Sequence, residues 1–259
     1  MAEVDMEPGW IRPEERPTLR RLEDLCWRAL QQNTATLSDF LTPREQFLAA
    51  SAGRHAGVDA GFWGGYAQAE RQRALFSPAY WTVHKEDYEI GVMSGNLGIS
   101  AGASHGDVLG SILGTGLKRS KIGDIAVGER GFLVAVSSDV EPYLLSHWSQ
   151  VGKMDVHLEK VSGDAQWPVP DYRTQTGLVS SLRLDALLAE FCRWSRSQAQ
   201  AAIAQGKTQL NFAATTKTDE RVEVGDIISI RGFGRIKLAE IQGETRRGKL
   251  RVTAAVLKS

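Results

Sequence analysis

Apolar and polar residues alternate along this chain with three different rhythms. In the first stretch Leu19, Leu22, Cys26 and Ala29 recur at helical spacing, and Pro17 suits a first helical turn. A second helix start is written as Thr42-Pro43-Arg44-Glu45, a capping box with proline at the first helical position, followed by Phe47 and Leu48. GFWGGY (61–66) predicts a tight turn. A further helix is expected from about Ala67, with Glu70, Arg71 and Arg73 on its polar side and Ala74 and Leu75 on its apolar side. Residues 1–77 therefore read as a helical N-terminal segment.

The rhythm changes over 78–162. YEIGVMSG (88–95) predicts a strand and SHGDVLGSILG (104–114) a helix. GDIAV (123–127) and GFLVAV (131–136) predict two strands around Gly128-Glu129-Arg130. DVEPYLLSHWSQ (139–150) predicts a second helix, and KMDVHLEKV (153–161) a closing strand. The order βαββαβ is the ferredoxin-like arrangement shared with RNA-recognition motifs. Residues 163–180, with two prolines close together and several turn formers, read as a linker.

Residues 181–259 form a third pattern. Leu184, Leu187, Leu188 and Phe191 mark one face of a helix. After Trp194, Ser195-Arg196-Ser197-Gln198 forms another capping box. It opens a helix with Ala199, Ala202 and Ile203 on its apolar face and Gly206 at its end. Strands are expected at TQLN (208–211) and IISIRG (227–232), then as a hairpin of RIKLAEI (235–241) and KLRVTAAV (249–256) closed by GETRRG. The fold class is thus α+β, in three parts.

Composition adds one point. The net charge of the 259 residues is zero, but residues 182–259 carry 14 Lys and Arg against 8 Asp and Glu, so they are +6 and the remainder −6. A basic module on an acidic body suggests a polyanionic partner. No apolar run is long enough to span a membrane, and the first residues, acidic and proline-containing, resemble neither a signal nor a transit peptide. Cys26 and Cys192, without CxxC spacing, read as buried free thiols in a reducing compartment, and a cytoplasmic location is expected.

The cations of the basic module are placed with a pattern. Arg196 sits in the first turn of its helix, against the preference of the helix dipole, flanked by Ser195 and Ser197; that combination suits a phosphate. Lys207 follows the helix exit. Arg235 and Lys237 alternate with Ile236 and Leu238 and so face away from the core. LRLDALLAEFCRWSRSQAQAAIAQGKTQLN followed by VEVGDIISIRGFGR resembles the S4-type RNA-binding domain over about 50 residues. The resemblance implies phosphate contacts by Arg183, Ser195, Arg196, Ser197, Lys207 and Asn211, with Arg231 and Arg235 as further candidates. A double charge reversal at Arg196 and Lys207 is expected to abolish RNA binding while leaving folding intact.

Upstream, TPREQFLAA, GGYAQAERQRALFSP and SHGDVLGSILGTGLKRSKIGDIAV resemble the YlmH family, and the likeness covers nearly the whole chain. That resemblance implies a helical segment, an RRM-like domain and an S4-type domain in series, with structured RNA (rRNA or tRNA) on the large ribosomal subunit as the partner. The wording GDVLGSILGTG is similar to a cyanobacterial and plastid branch labelled as photosystem II S4 domain proteins, which implies the alternative of a photosystem assembly factor acting through RNA. Gly106 stands where the family often has arginine.

Motifs that suggest chemistry resolve into structure. His105 and Asp107 are expected to start a helix; their spacing predicts neither a triad nor a metal site. The glycines of GSILGTG close a helix and do not match a dinucleotide fingerprint. Lys118, Arg119 and Lys121 form a basic cluster able to touch phosphate. Arg130-Gly131-Phe132 begins like the third-strand motif of RNA-recognition domains, but Val134 and Ser137 replace its later aromatics. No catalytic residue, cofactor or metal is expected. An RNA-modifying enzyme would need a catalytic partner domain with a strand-borne Asp motif or a Gly-rich methyl-donor loop, and the sequence has neither.

Overall fold

The computed structural model describes residue 11 and residues 15–97, 102–161, 165–168 and 172–258. It divides the chain into two compact units, Met1–Pro168 and Val169–Ser259.

The first unit begins with α1 (Arg16–Gln32), β1 (Thr36–Leu41), α2 (Pro43–Ala56), β2 (Asp59–Trp63) and β3 (Gln72–Ser77). The apolar stripe of α1 is buried as its spacing predicts, and α1 stops at Asn33, whose left-handed backbone ends the helix. The capping box opening α2 is present in both directions, with Thr42 accepting from the Glu45 N–H and Glu45 accepting from that of Thr42. The strands form an antiparallel sheet in the order β1-β3-β2, and Leu22, Cys26, Leu48, Ala52, Ala74 and Phe76 fill the core.

The helix expected from Ala67 is instead the turn after β2 and the central strand β3. A central strand is covered on both faces, so Ala74, Leu75 and Phe76 form a continuous buried run that periodicity alone cannot tell from helix. Arg73 misleads further. It is only 6% exposed, and its guanidinium donates to the carbonyls of Ser38, Tyr88 and Glu89.

The same unit continues with β4 (Ile90–Asn96), α3 (His105–Gly114), β5 (Ile122–Val127), β6 (Gly131–Ser137), α4 (Glu141–His147), the short pair β7 (Gln150–Val151) and β8 (Met154–Asp155), and β9 (His157–Lys160). The sheet order β5-β6-β4-β9, antiparallel throughout, is the ferredoxin-like order. Met93, Val134 and Val136 point to the side covered by Val108 and Ile112 of α3 and Leu144 of α4. Ser104 and Asp107 form the capping box of α3, so His105-Gly106-Asp107 does start a helix.

The second unit holds β10 (Arg173–Val179), α5 (Leu184–Cys192), α6 (Arg196–Ala204), β11 (Thr208–Leu210), β12 (Ala213–Ala214), β13 (Ile227–Ile230), β14 (Gly234–Glu244) and β15 (Leu250–Lys258). They make one six-stranded antiparallel sheet in the order β10-β15-β14-β13-β11-β12. The linker reading of 163–180 is corrected over 173–179, which pair in full with β15 from Arg173↔Val256 to Val179↔Leu250. β10 is an edge strand whose outer side is solvated, so TQTG carries almost no apolar signal. Leu184, Leu187, Leu188 and Phe191 of α5 and Ala199 and Ile203 of α6 pack on Ile228, Ile236, Leu238, Val252, Ala254 and Val256.

Candidate nucleic-acid interface

The site is built at the start of α5. Asp185, inside the first turn, is wholly buried, beside Leu184 and Leu187. A buried carboxylate is tolerable only when fully satisfied. Asp185 accepts from Nε and Nη2 of Arg183 (3.2 and 3.3 Å), from Nη2 and Nε of Arg196 (both 3.1 Å) and from Nε2 of Gln200 at 2.9 Å. Arg196 and Gln200 lie one turn apart on α6, so a single face of that helix is aimed at the acid. Burial pushes the Asp185 carboxyl up, but the hydrogen bonds from Arg183, Arg196 and Gln200 outweigh it and hold it down at about 2. The bond to Asp185 in turn raises Arg183.

Both arginines nevertheless reach the surface: their side chains are 41% and 49% exposed. Asp185 takes Nε and one Nη of each, which leaves the other Nη group for a ligand. The acid thus acts as an internal clamp that fixes two forks in orientation, the geometry that bidentate phosphate contact requires. The loop before β13 completes the clamp. The Leu184 and Asp185 N–H groups donate to the carbonyls of Glu220 and Thr218, and the main chain of Arg183 forms an isolated antiparallel β-bridge with that of Arg221, an exposed third arginine.

Sequence reasoning missed Asp185 and Arg221. An acid in the first turn of a helix is explained by the helix dipole alone. The available signal was its position inside a Leu-rich run, where an unpaired acid would be costly. Arg221 comes to the site only through the long return of its loop, which has no local signature.

The other expected contacts fall in different places. Ser195 caps α6, its Oγ accepting from the Gln198 N–H and lying 2.9 Å from Oγ of Ser197, so both hydroxyls are engaged locally. Lys207 stands at the opposite end of α6, about 13 Å of helix from Arg196. It is exposed, and its carbonyl accepts from the N–H of Arg231, also exposed. Arg235 and Lys237 share the face of β14 that points away from Ile236 and Leu238, and the Arg235 guanidinium lies over the Phe212 ring. Asn211 has a different occupation. Its Nδ2 donates to Asp226 and its Oδ1 accepts from the Ile227 N–H, holding a left-handed turn after β11.

Arg196 is therefore not a simple solvated cation, which corrects the expectation that reversing its charge spares the fold. A glutamate there would face Asp185 at the distance of an ion pair.

In the first unit the basic cluster is mostly consumed by the fold. Arg119 turns back on the carbonyls of Ile122 and Gly123, and burial, with Arg71 nearby, pushes it down to about 10. Lys121 pairs with Asp39 and Asp139. Lys118 is exposed. Asp124 accepts from the Tyr66 hydroxyl and the Glu70 and Arg71 N–H groups, tying the two sheets of this unit together.

Phe132, the aromatic of the RNA-recognition-like triplet, lies on the helix side of the sheet against Trp148 and is 4% exposed. Its ring occupies the space that a Cβ at Gly95 would need. The open face instead carries a shallow groove of about 660 Å³ lined by Ser94, Asn96, Arg130, Leu133, His157 and Trp167, with Trp167 stacked on Tyr66 at 4.3 Å.

Two family models match the chain, "YlmH, N-terminal" over residues 14–81 and "Putative RNA-binding domain in YlmH" over residues 84–164. The chain is 37% identical over 247 residues to the ribosome-associated protein quality control protein P2 of Bacillus subtilis (strain 168), covering 94% of this chain and 95% of that one. The solved structure of cell division protein YlmH from Streptococcus pneumoniae superposes with a TM-score of 0.55 at 20% identity, over 60% of this chain and 96% of that one, a likeness of fold. With two adjoining family models and a relative matched almost end to end, the chain belongs to the YlmH family.

Proposed function

We propose that this protein is a non-catalytic RNA-binding factor that works in the cytoplasm on the large ribosomal subunit, gripping rRNA or a ribosome-bound tRNA. The observation that carries the reading is the Asp185 clamp, a buried acid that fixes Arg183 and Arg196 with their free edges outward. The α5–α6 pair and the strands after it act as an S4-type module. Arg183, Arg196 and Arg221 meet phosphates at one end of α6, and Lys207 and Arg231 meet others beyond its far end. Arg235 and Lys237 extend the basic surface. The middle domain adds a weaker contact through Lys118 and the open sheet face. The B. subtilis relative's name supports a role at the ribosome, and the family description of residues 84–164 supports RNA as the ligand.

Sedimentation of tagged protein through sucrose gradients tests this reading. Wild type should travel with the large subunit at low salt and be released as salt rises, because phosphate binding is driven by counterion release. Lys207→Glu with Arg231→Glu, both on exposed positions, should stay at the top with an unchanged melting temperature. Wild type that remains at the top at low salt would sink the ribosomal reading.

A further inference from the structure

The β14–β15 hairpin is flanked unevenly: β10 runs beside β15 as far as Leu250, whereas β14 loses its other neighbour early. β13 pairs with β14 only from Gly234 to Lys237, whereas β14 continues to Glu244 against β15. From Leu238 to Glu244 the strand extends about 20 Å. Two register shifts, between Leu238 and Glu240 and between Ile241 and Gly243, give β14 more residues than its partner opposes and so bend and twist that strand.

The charges on this hairpin are segregated. Glu240 and Glu244 lie on β14, whereas Arg246, Arg247, Lys249 and Arg251 fall within six residues at the turn and the start of β15. All four cations are exposed, and none makes an ion pair among the described residues. Protection of a free strand edge would put the cations along β14, the strand whose edge β13 leaves uncovered. Arg246, Arg247 and Lys249 stand at the turn instead, and Arg251 lies beside it at the start of β15, between Leu178 of β10 and Gly243 of β14. Crowding like charges on a tight turn gains the fold nothing, and becomes favourable when a polyanion lies across it.

We infer that the turn of this hairpin, Arg246, Arg247 and Lys249, with Arg251 beside it on β15, is a second RNA-backbone contact, separate from the Asp185 clamp and reaching a different stretch of phosphates on the same structured RNA. The inference rests on the RNA-binding reading above. The contact is one of charge to phosphate, so it adds affinity without base preference.

The test is binding of the full chain to a labelled stem–loop RNA, its stem longer than one helical turn, over a salt series. Arg246→Ala with Arg247→Ala should weaken binding at low salt roughly tenfold to hundredfold, and should lower the slope of log affinity against log salt by about 1–2 units. Arg246→Lys with Arg247→Lys should keep the wild-type slope, and all three proteins should melt alike. An alanine variant with wild-type affinity and slope overturns the inference. If that result accompanies loss of binding in Lys207→Glu/Arg231→Glu, the tip fails and the RNA-binding reading stands. If wild type itself binds no stem–loop at low salt, both fail.

Discussion

The two units use arginine in opposite ways. In the first, Arg71, Arg73 and Arg119 turn inward and donate to main-chain carbonyls, of Phe40 and Ile122, of Ser38, Tyr88 and Glu89, and of Ile122 and Gly123. Three cations are used to close gaps between segments. In the second, a carboxylate is buried so that Arg183 and Arg196 stay at the surface with fixed direction. There the interior serves the cations. The contrast shows that a count of basic residues says little about ligand binding until the partner of each one is known.

The largest break in this contrast comes from Arg73→Ala. It strands buried carbonyls and leaves a cavity, so the loss of stability should be about 3–4 kcal/mol by denaturant unfolding, with no change in RNA affinity for the molecules that remain folded. Next is Asp185→Asn. The folded carboxyl sits at about 2, below its ordinary 3.8. A depressed carboxyl stabilises fully above its unfolded value, and that stabilisation fades as pH falls through the folded value. The gap between wild type and Asp185→Asn should be roughly 2–3 kcal/mol at neutral pH and should close between about pH 5 and pH 2. RNA affinity should also fall about tenfold, because the forks lose their fixed orientation. A pH-independent gap would show that the clamp is held by packing and not by charge.

Lys207→Glu with Arg231→Glu sharpens the comparison from the other side. RNA affinity should drop at least tenfold while stability moves by less than about 0.5 kcal/mol, as neither side chain supports the fold. The smallest effect is expected for Ser195→Ala. It removes the cap of α6 at a cost of about 1 kcal/mol, and any loss of RNA affinity should be no larger than a slight shift of Arg196 explains.

Where the chain carries its own local punctuation, the sequence is legible. The capping boxes at Thr42 and Ser195 sit at the helix starts they predict, His105 and Asp107 start α3 as expected, and the βαββαβ order of the middle domain is visible because its strands and helices alternate at short range. β3 and β10 are not legible, for opposite reasons. A central strand buries both faces and loses its alternation, and an edge strand solvated on one side loses its apolar residues. The candidate site divides the same way. Arg183, Arg196 and Lys207 can be picked out locally, but Asp185 takes its meaning from α6 and Arg221 from a distant loop. Phe132 shows the converse: a motif with the right letters on the right strand points its ring to the wrong side of the sheet.

The position of β15 has a consequence for synthesis. This strand, last in sequence, is an interior strand of its sheet, between β10 and β14, and it supplies Val252, Ala254 and Val256 to the core. Residues 173–244 emerge from the ribosome with the middle of their sheet missing, so β10 has no neighbour and β14 no second side. The basic module therefore cannot assemble cooperatively until residue 256 is free, whereas the first unit has everything it needs much earlier. A nascent chain of this protein would therefore carry a folded acidic body well before it carries a folded basic module.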